Sequence, residues 1–215
     1  MGPITLTTLA AAAFVLGRGC DAGKPADERR LPEATQRGGP SLWISLASRR
    51  SVRVFGQRAL SEAEVGQLLW AAQGRVDGHR TAPSAGALYP LAVRVVDARG
   101  VWRYVPSDHA LVLEVAADRR SALGAATFGQ EAVERAPVTF VITGDLRITA
   151  KKYGARAERF VALEAGHVAQ NILLAATALD LAAVPVGAFD DAAVRRQLSL
   201  PAEITPIYLL PVGSK

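Results

Sequence analysis

The chain has 215 residues, of which 50% are hydrophobic, 21% charged and 6% aromatic. That apolar content excludes a disordered chain, and the length suits one globular domain with room for an appendage. One cysteine, Cys20, excludes an internal disulfide framework and a thiolate zinc cluster, and three histidines leave little for a multi-histidine metal site. The net charge of +5 comes almost wholly from arginine, since lysine occurs only at 24, 151, 152 and 215. Guanidinium groups favour planar, bidentate capture of phosphate or carboxylate, although a GC-rich coding bias gives the same excess.

Residues Ile4 to Leu16 form an uncharged apolar run closed by Gly17-Arg18-Gly19-Cys20. The run falls short of the roughly 20 residues of a membrane span and fits the apolar region of an export signal. The small residue before Cys20 and the polar stretch after it resemble a bacterial lipoprotein processing site, in which the cysteine is lipidated. No Lys or Arg precedes the run, and Gly17 and Arg18 depart from the usual pattern. The expectation is a signal peptide over 1–20, an exported and membrane-anchored lipoprotein, and membrane contact only through that anchor. If the leader is not a true signal, the chain is cytoplasmic. Residues 21–40, rich in Gly, Pro and charge without apolar period, read as a flexible linker, which leaves 41–215 as the folded domain.

In chain order, Ser41 to Ser48 reads as a short helix. Ser61-Glu62-Ala63-Glu64 is a capping box opening a helix that carries Val65, Leu68, Leu69 and Ala72 and stops at Gly74. A long polar loop follows, from Gly74 to Pro90. Strands are expected at 92–96, 101–105 and 110–115, helices near 119–126 and 130–135, and a buried strand at 138–143. A long helix over about 155–179, a strand at 182–186, a helix at 190–198 and a strand at 205–212 complete the chain. This order implies an α+β domain.

Four segments carry candidate chemistry. Arg49, Arg50, Ser51 and Arg53 put three guanidinium groups and a hydroxyl at a helix-to-loop junction, which suits a phosphate or a solvated basic turn equally. Pro83-Ser84-Ala85-Gly86 offers small residues to a flat ligand, or a tight surface turn. The bend at Gly187 and Ala188 frees backbone amides between a strand and a helix, and an ordinary capped connection would look the same. Glu164 and His167 have the carboxylate–imidazole spacing of di-iron bundles, but no second copy exists, so with Asn171 they read as a buried polar seam or a subunit contact. No phosphate-binding glycine loop, hydrolase elbow or nucleic-acid motif occurs.

These segments stand in a known order. The pieces RRSVRVF (49–55), LSEAEVGQLLWAAQG (60–74), HRTAPSAGALYP (79–90), RYVPSDHAL (103–111), LEAGHVAQNILLAATALDLAAVPVGAFDD (163–191) and PIYLLPVG (206–213) together resemble the nitroreductase-like FMN-dependent oxidoreductases. Within them, the chain is most similar to the azole-forming peptide dehydrogenases of the SagB type. The resemblance implies a central mixed sheet flanked by helices and an intertwined homodimer holding FMN at its interface. It makes Arg49, Arg50 and Ser51 the phosphate clamp, with Arg53 the cation near flavin N1. Pro83, Ser84, Ala85 and Gly86 become the partner loop over the ring, and Gly187 and Ala188 the backbone donors near N5. The implied reaction is hydride transfer through N5 by a ping-pong scheme. NAD(P)H or a quinol would be the donor, and a nitro-aromatic, quinone or azoline the acceptor. An exported flavin- or small-ligand-binding lipoprotein without turnover is the alternative. Ala87, Tyr89 and Gly187 depart from common residues of the family, and Lys215 stands where its C-terminal phosphate contact would lie further on.

Overall fold

The computed structural model describes Gly2 and residues 27–215. The leader over 1–20, including Cys20, lies outside the described residues apart from Gly2, as does the linker to residue 26. Seven strands make one sheet: β1 (Glu28–Arg30), β4 (Leu91–Asp97), β5 (Gly100–Val105), β6 (Ala110–Val115), β7 (Val138–Gly144), β8 (Leu181–Ala183) and β9 (Thr205–Ser214), in the order β1-β6-β5-β4-β7-β9-β8. A small hairpin of β2 (Arg75–Val76) and β3 (His79–Arg80) stands apart. Each of the six pairings is antiparallel, so the sheet expected as mixed is antiparallel throughout.

The central strands bury both faces, and their period of two sorts side chains into two cores. Val93, Val95, Phe140, Ile142 and Leu210 point to the face covered by α2 (Glu62–Gln73) and α6 (Ala157–Ala178). Val96, Val141 and Leu209 point to the other, where α3 (Arg120–Ala125), α4 (Glu131–Arg135) and α7 (Asp191–Gln197) lie. On α6 the stripe Val161, Ala165, Val168, Ile172 and Ala176 is buried at helical spacing. The capping box forms as expected: Ser61 Oγ accepts from the Glu64 amide, and Glu64 accepts from the Ser61 amide at 2.7 Å.

Two elements depart from the reading of the sequence. The expected linker over 21–40 includes β1, paired Glu28↔Val112 to Arg30↔Ala110, and Leu31 is buried in the first core. A strand of three charged residues has no apolar alternation to reveal it, yet charge suits a sheet edge. The same arm is fastened by His109. Its amide oxygen accepts from the Leu31 amide at 3.0 Å, and its ring Nε2 donates to the Pro32 carbonyl at 2.9 Å. A carbonyl can only accept, so His109 Nδ1 is the acceptor for the Tyr104 hydroxyl at 2.9 Å. The second departure is α5 (Leu146–Tyr153), in a stretch to which the sequence assigns no element. Asp145 caps it by accepting from the Arg147 amide, and Gly154 ends it at φ 53°.

The first helix, α1 (Leu42–Ser48), is unusual in what it leaves outside. Only Ser45 is buried, while Leu42, Trp43, Ile44 and Leu46 are exposed, Trp43 by 76%. Among the described residues no helix is long and apolar enough to cross a membrane.

Candidate active site

The arginine segment follows α1 and runs along the β8–β9 edge. Two backbone bonds tie it there, from the Val52 amide to the Ala183 carbonyl at 2.9 Å and from the Gly56 amide to the Ser214 carbonyl at 2.8 Å. Packing is tight: a Cβ on Gly213 would stand 2.8 Å from Phe55. Arg53 lies between the two ties and is exposed, as are Arg50 and Ser51, with Arg49 half-buried. None of these three arginines takes part in an ion pair among the described residues, unlike Arg29, Arg30, Arg58, Arg94, Arg99, Arg103, Arg120, Arg135 and Arg147. Their charge is therefore available to a ligand. Arg53 also borders a cavity of about 490 Å³ with Arg120 and Arg135, whose charges are met by Asp118 and Glu131. Lys215, at the same end of the sheet, pairs with Asp180.

The glycine bend follows on the same edge. Val186 exchanges backbone bonds with Leu209 at 2.8 and 3.0 Å, and the chain then leaves the sheet at Gly187. Gly187 and Ala188 are exposed, and neither amide meets an acceptor among the described residues. The bend is held from behind by α3 and α4. Gln130 Nε2 donates to the Ala188 carbonyl at 3.0 Å, and the Asp190 amide donates to the Ala126 carbonyl at 2.9 Å. Gln130 thus fixes the bend, a role its place in a helical stretch did not signal.

The Pro83–Gly86 loop lies elsewhere. Ser84 Oγ donates to Glu164 Oε2 of α6 at 2.5 Å and accepts from the Tyr89 amide at 2.9 Å. Asn171 Nδ2, also on α6, donates to the Thr81 carbonyl at 3.2 Å. Glu164 and Asn171 therefore form the polar seam expected of them, while His167 is exposed. Gly86, Ala87 and Tyr89 all take left-handed backbone (φ 62°, 54° and 48°), a strain that local contacts must hold for the two non-glycines. Arg80 stacks its guanidinium 4.5 Å from the Tyr89 ring centroid while donating to Gln73 Oε1 at 2.9 Å. On the outer side Lys152 and Tyr153 of α5 close on Gly86, where a Cβ would stand 2.8 Å from Lys152 Nζ and Tyr153 Oη.

One chain keeps these parts separate. Loop 83–86 is tied to α6 at Glu164, whereas the arginine segment is tied to β8 at Ala183. The arginines and the glycine bend both lie along the β8–β9 edge; the bend shares a cavity with Glu158, Val161 and Ala162 of α6, and no hydrogen bond among the described residues joins it to the loop.

The sequence profile of the Nitroreductase family matches residues 46–214. The chain belongs to the nitroreductase family. A Methanocaldococcus jannaschii relative named "Putative nitroreductase MJ1384" is 39% identical over 178 residues, spanning 79% of this chain and 89% of its own. A crystal structure from Ralstonia eutropha of the same designation is 32% identical with a TM-score of 0.81, covering 89% of this chain and 91% of the other. A chain of the Escherichia coli microcin synthetase McbBCD complex shares the fold at a TM-score of 0.68 and 23% identity, over 86% of this chain and 78% of that one. The nitroreductase fold and oxidoreductase class expected from the sequence are thus established.

Proposed function

We propose that this nitroreductase-family oxidoreductase uses FMN and works as a homodimer. The observation that carries the reading is the division of parts just described. Unpaired arginines and free amides lie along the β8–β9 edge, and no hydrogen bond among the described residues links either to the small-residue loop, which Ser84 holds to Glu164 of α6. Two copies arranged head to tail would bring the loop of one over the edge of the other. The exposed apolar face of α1, which leads into Arg49, is the surface such a pairing would cover.

The residues present fit the cofactor. Arg49, Arg50 and Ser51 supply charge and a hydroxyl for a phosphate, and Arg53 supplies a fixed cation between two backbone ties. Gly187 and Ala188 offer amides without an internal acceptor, and Gly187 leaves room for a flat ring, with only Tyr208 within 4 Å of a would-be Cβ, at 3.7 Å. Bound FMN would supply the two-electron chemistry, while the chain binds, orients and electrostatically biases it. The donor is taken as NAD(P)H or a quinol, and the acceptor as a nitro-aromatic, a quinone or an azoline, exchanged at one face in turn. Export through the leader and lipidation at Cys20 belong to the same proposal.

The purified chain should be yellow, release FMN on denaturation and sediment as a dimer. Anaerobic mixing with NADH, NADPH and a reduced quinone should bleach the flavin with at least one of them, and an acceptor should restore the colour. Arg53→Ala should weaken FMN binding or lower its reduction potential. A colourless protein that takes up no added FMN overturns the reading.

A further inference from the structure

Glu164 is a carboxyl buried to 3% exposure in the middle of α6, and only one of its oxygens is used. Oε2 receives the Ser84 hydroxyl at 2.5 Å, and Oε1 is buried without a partner among the described residues. We infer that Glu164 is a positioning residue that sets, through the Ser84 hydroxyl, whether the 83–90 loop presents a hydrogen-bond acceptor or a donor on its outer side.

Protons and lone pairs at Ser84 Oγ set which way the hydroxyl points. Ser84 Oγ has one proton and two lone pairs, and one lone pair is taken by the Tyr89 amide. When Glu164 is ionised, the single Ser84 proton points inward to Oε2, and the hydroxyl can only accept from outside. When Glu164 takes a proton from solvent, the carboxylic acid donates to the second lone pair of Ser84. The Ser84 proton is then released to point outward. The same two atoms stay in contact in both states, so the loop keeps its shape while its outward polarity reverses.

The surroundings favour the protonated state more than those of an ordinary carboxylate do. Burial raises the Glu164 pKa; the Ser84 hydrogen bond and the Arg80 charge oppose this without cancelling it. An orphaned Oε1 costs less on a neutral acid than on a carboxylate. The groups facing this carboxyl are few. Arg80 on β3 is occupied by Gln73 and the Tyr89 ring, Tyr104 stands behind Arg80, and Lys152 and Tyr153 of α5 lie beyond Gly86. The Tyr89 amide reports on the switch, because its acceptor is the hydroxyl that reverses. Only the identity of the group across the loop rests on the FMN reading.

Two measurements test this. Without cofactor, carbon-13 carboxyl NMR should find Glu164 titrating above the ordinary carboxylate range, with the Tyr89 amide shift following at the same midpoint. Glu164→Gln, which is isosteric, should abolish the Tyr89 transition, and Ser84→Ala should uncouple it from Glu164. A Tyr89 amide that stays flat through the Glu164 titration, or still titrates in Glu164→Gln, overturns the inference. With FMN added, the dissociation constant should change roughly three- to tenfold across that midpoint, the worth of one neutral hydrogen bond, and both variants should lose the step. A protein that shows the first transition but binds no FMN supports the switch and overturns the flavin reading. A flavin affinity flat with pH in the wild-type protein overturns the loop's placement over the ring.

Discussion

Leu31→Ala gives the sharpest test of where the folded domain begins. In a flexible linker the substitution would cost nothing, but Leu31 is 8% exposed within the first core. Its Cβ stands 3.3 Å from where a Cβ on Gly66 of α2 would lie, so the side chain sits directly against that helix. Burying a leucine is worth about 1.5–3 kcal/mol, and truncation to alanine adds a cavity cost wherever the site cannot collapse. Leu31 lies at the sheet margin, followed by the exposed Pro32 and Glu33, which keeps the loss near the low end, about 2–3 kcal/mol. For a chain of this size that is a fall in Tm of roughly 4–12 °C. Urea unfolding of the full chain at pH 7.5 measures it, with Gln36→Ala on the same arm as a control expected within about 0.5 kcal/mol. A Leu31→Ala protein as stable as the control would return residues 28–40 to the linker.

The same arm should respond to pH. Burial lowers the His109 pKa against the pull of the Pro32 carbonyl, so the folded arm prefers neutral imidazole. Its contribution is complete above the unfolded pKa of about 6.5 and declines as pH falls below it, so the amide-exchange protection factors of residues 28–35 should fall below pH 6. His109→Gln should flatten that dependence; an unchanged profile would remove His109 from the fastening. Glu64 behaves as a depressed acid. The Arg58 guanidinium lowers its pKa from 4.5 to about 2, burial opposes this, and Ser61 assists. The stability it supplies is present above pH 4.5 and lost as pH falls towards 2. Because Arg58 is largely solvent-exposed, screening limits it to about 1 kcal/mol. Glu64→Gln should therefore lose about that much at pH 7 in denaturant titrations and converge with the parent only as pH falls to about 2 and below. Gly213→Ala would put a methyl 2.8 Å from the Phe55 Cβ, costing about 1–3 kcal/mol and weakening FMN binding through the displaced arginine segment. Thermal melts and flavin titration together would show either effect.

What the sequence disclosed follows from where the information resides. Ser61, Glu64 and Gly74 fix α2 through contacts within a few residues, and the apolar runs of β7 and β9 mark strands buried on both faces. β1 was hidden because Glu28, Arg29 and Arg30 are stabilised by distant groups: Arg29 meets Asp97 and stacks 4.9 Å from the Trp102 ring centroid. The hairpin of β2 and β3, with Asp77 and Gly78 both at positive φ, was absorbed into a long loop because each strand has two residues. α5 was legible in principle, from Asp145 at its start and Gly154 at its end, but its body Leu-Arg-Ile-Thr-Ala-Lys-Lys-Tyr is too polar to show a clear apolar stripe. In the site, residue types pointed to the arginine cluster and the glycine bend. The partner of Ser84 lies 80 residues away, and no local pattern joins them.

On the proposed reading, dimer formation and FMN binding would be coupled through one short helix. α1 exposes Leu42, Trp43, Ile44 and Leu46 while its last turn passes straight into Arg49, whose amide still bonds to the Ser45 carbonyl at 3.0 Å. A partner covering that apolar face would fix the angle at which the arginine segment leaves the helix, before Val52 and Gly56 tie it to the sheet. Conversely, an anion held by Arg49 and Arg50 would neutralise repulsion between adjacent cations and favour the same exit. Whatever binds only the assembled state stabilises it by mass action, so FMN and the second copy should each strengthen the other. On this reading the arginine surplus and the apolar helix serve one end: neither surface is satisfied in a single chain, and each supplies the ordering the other needs.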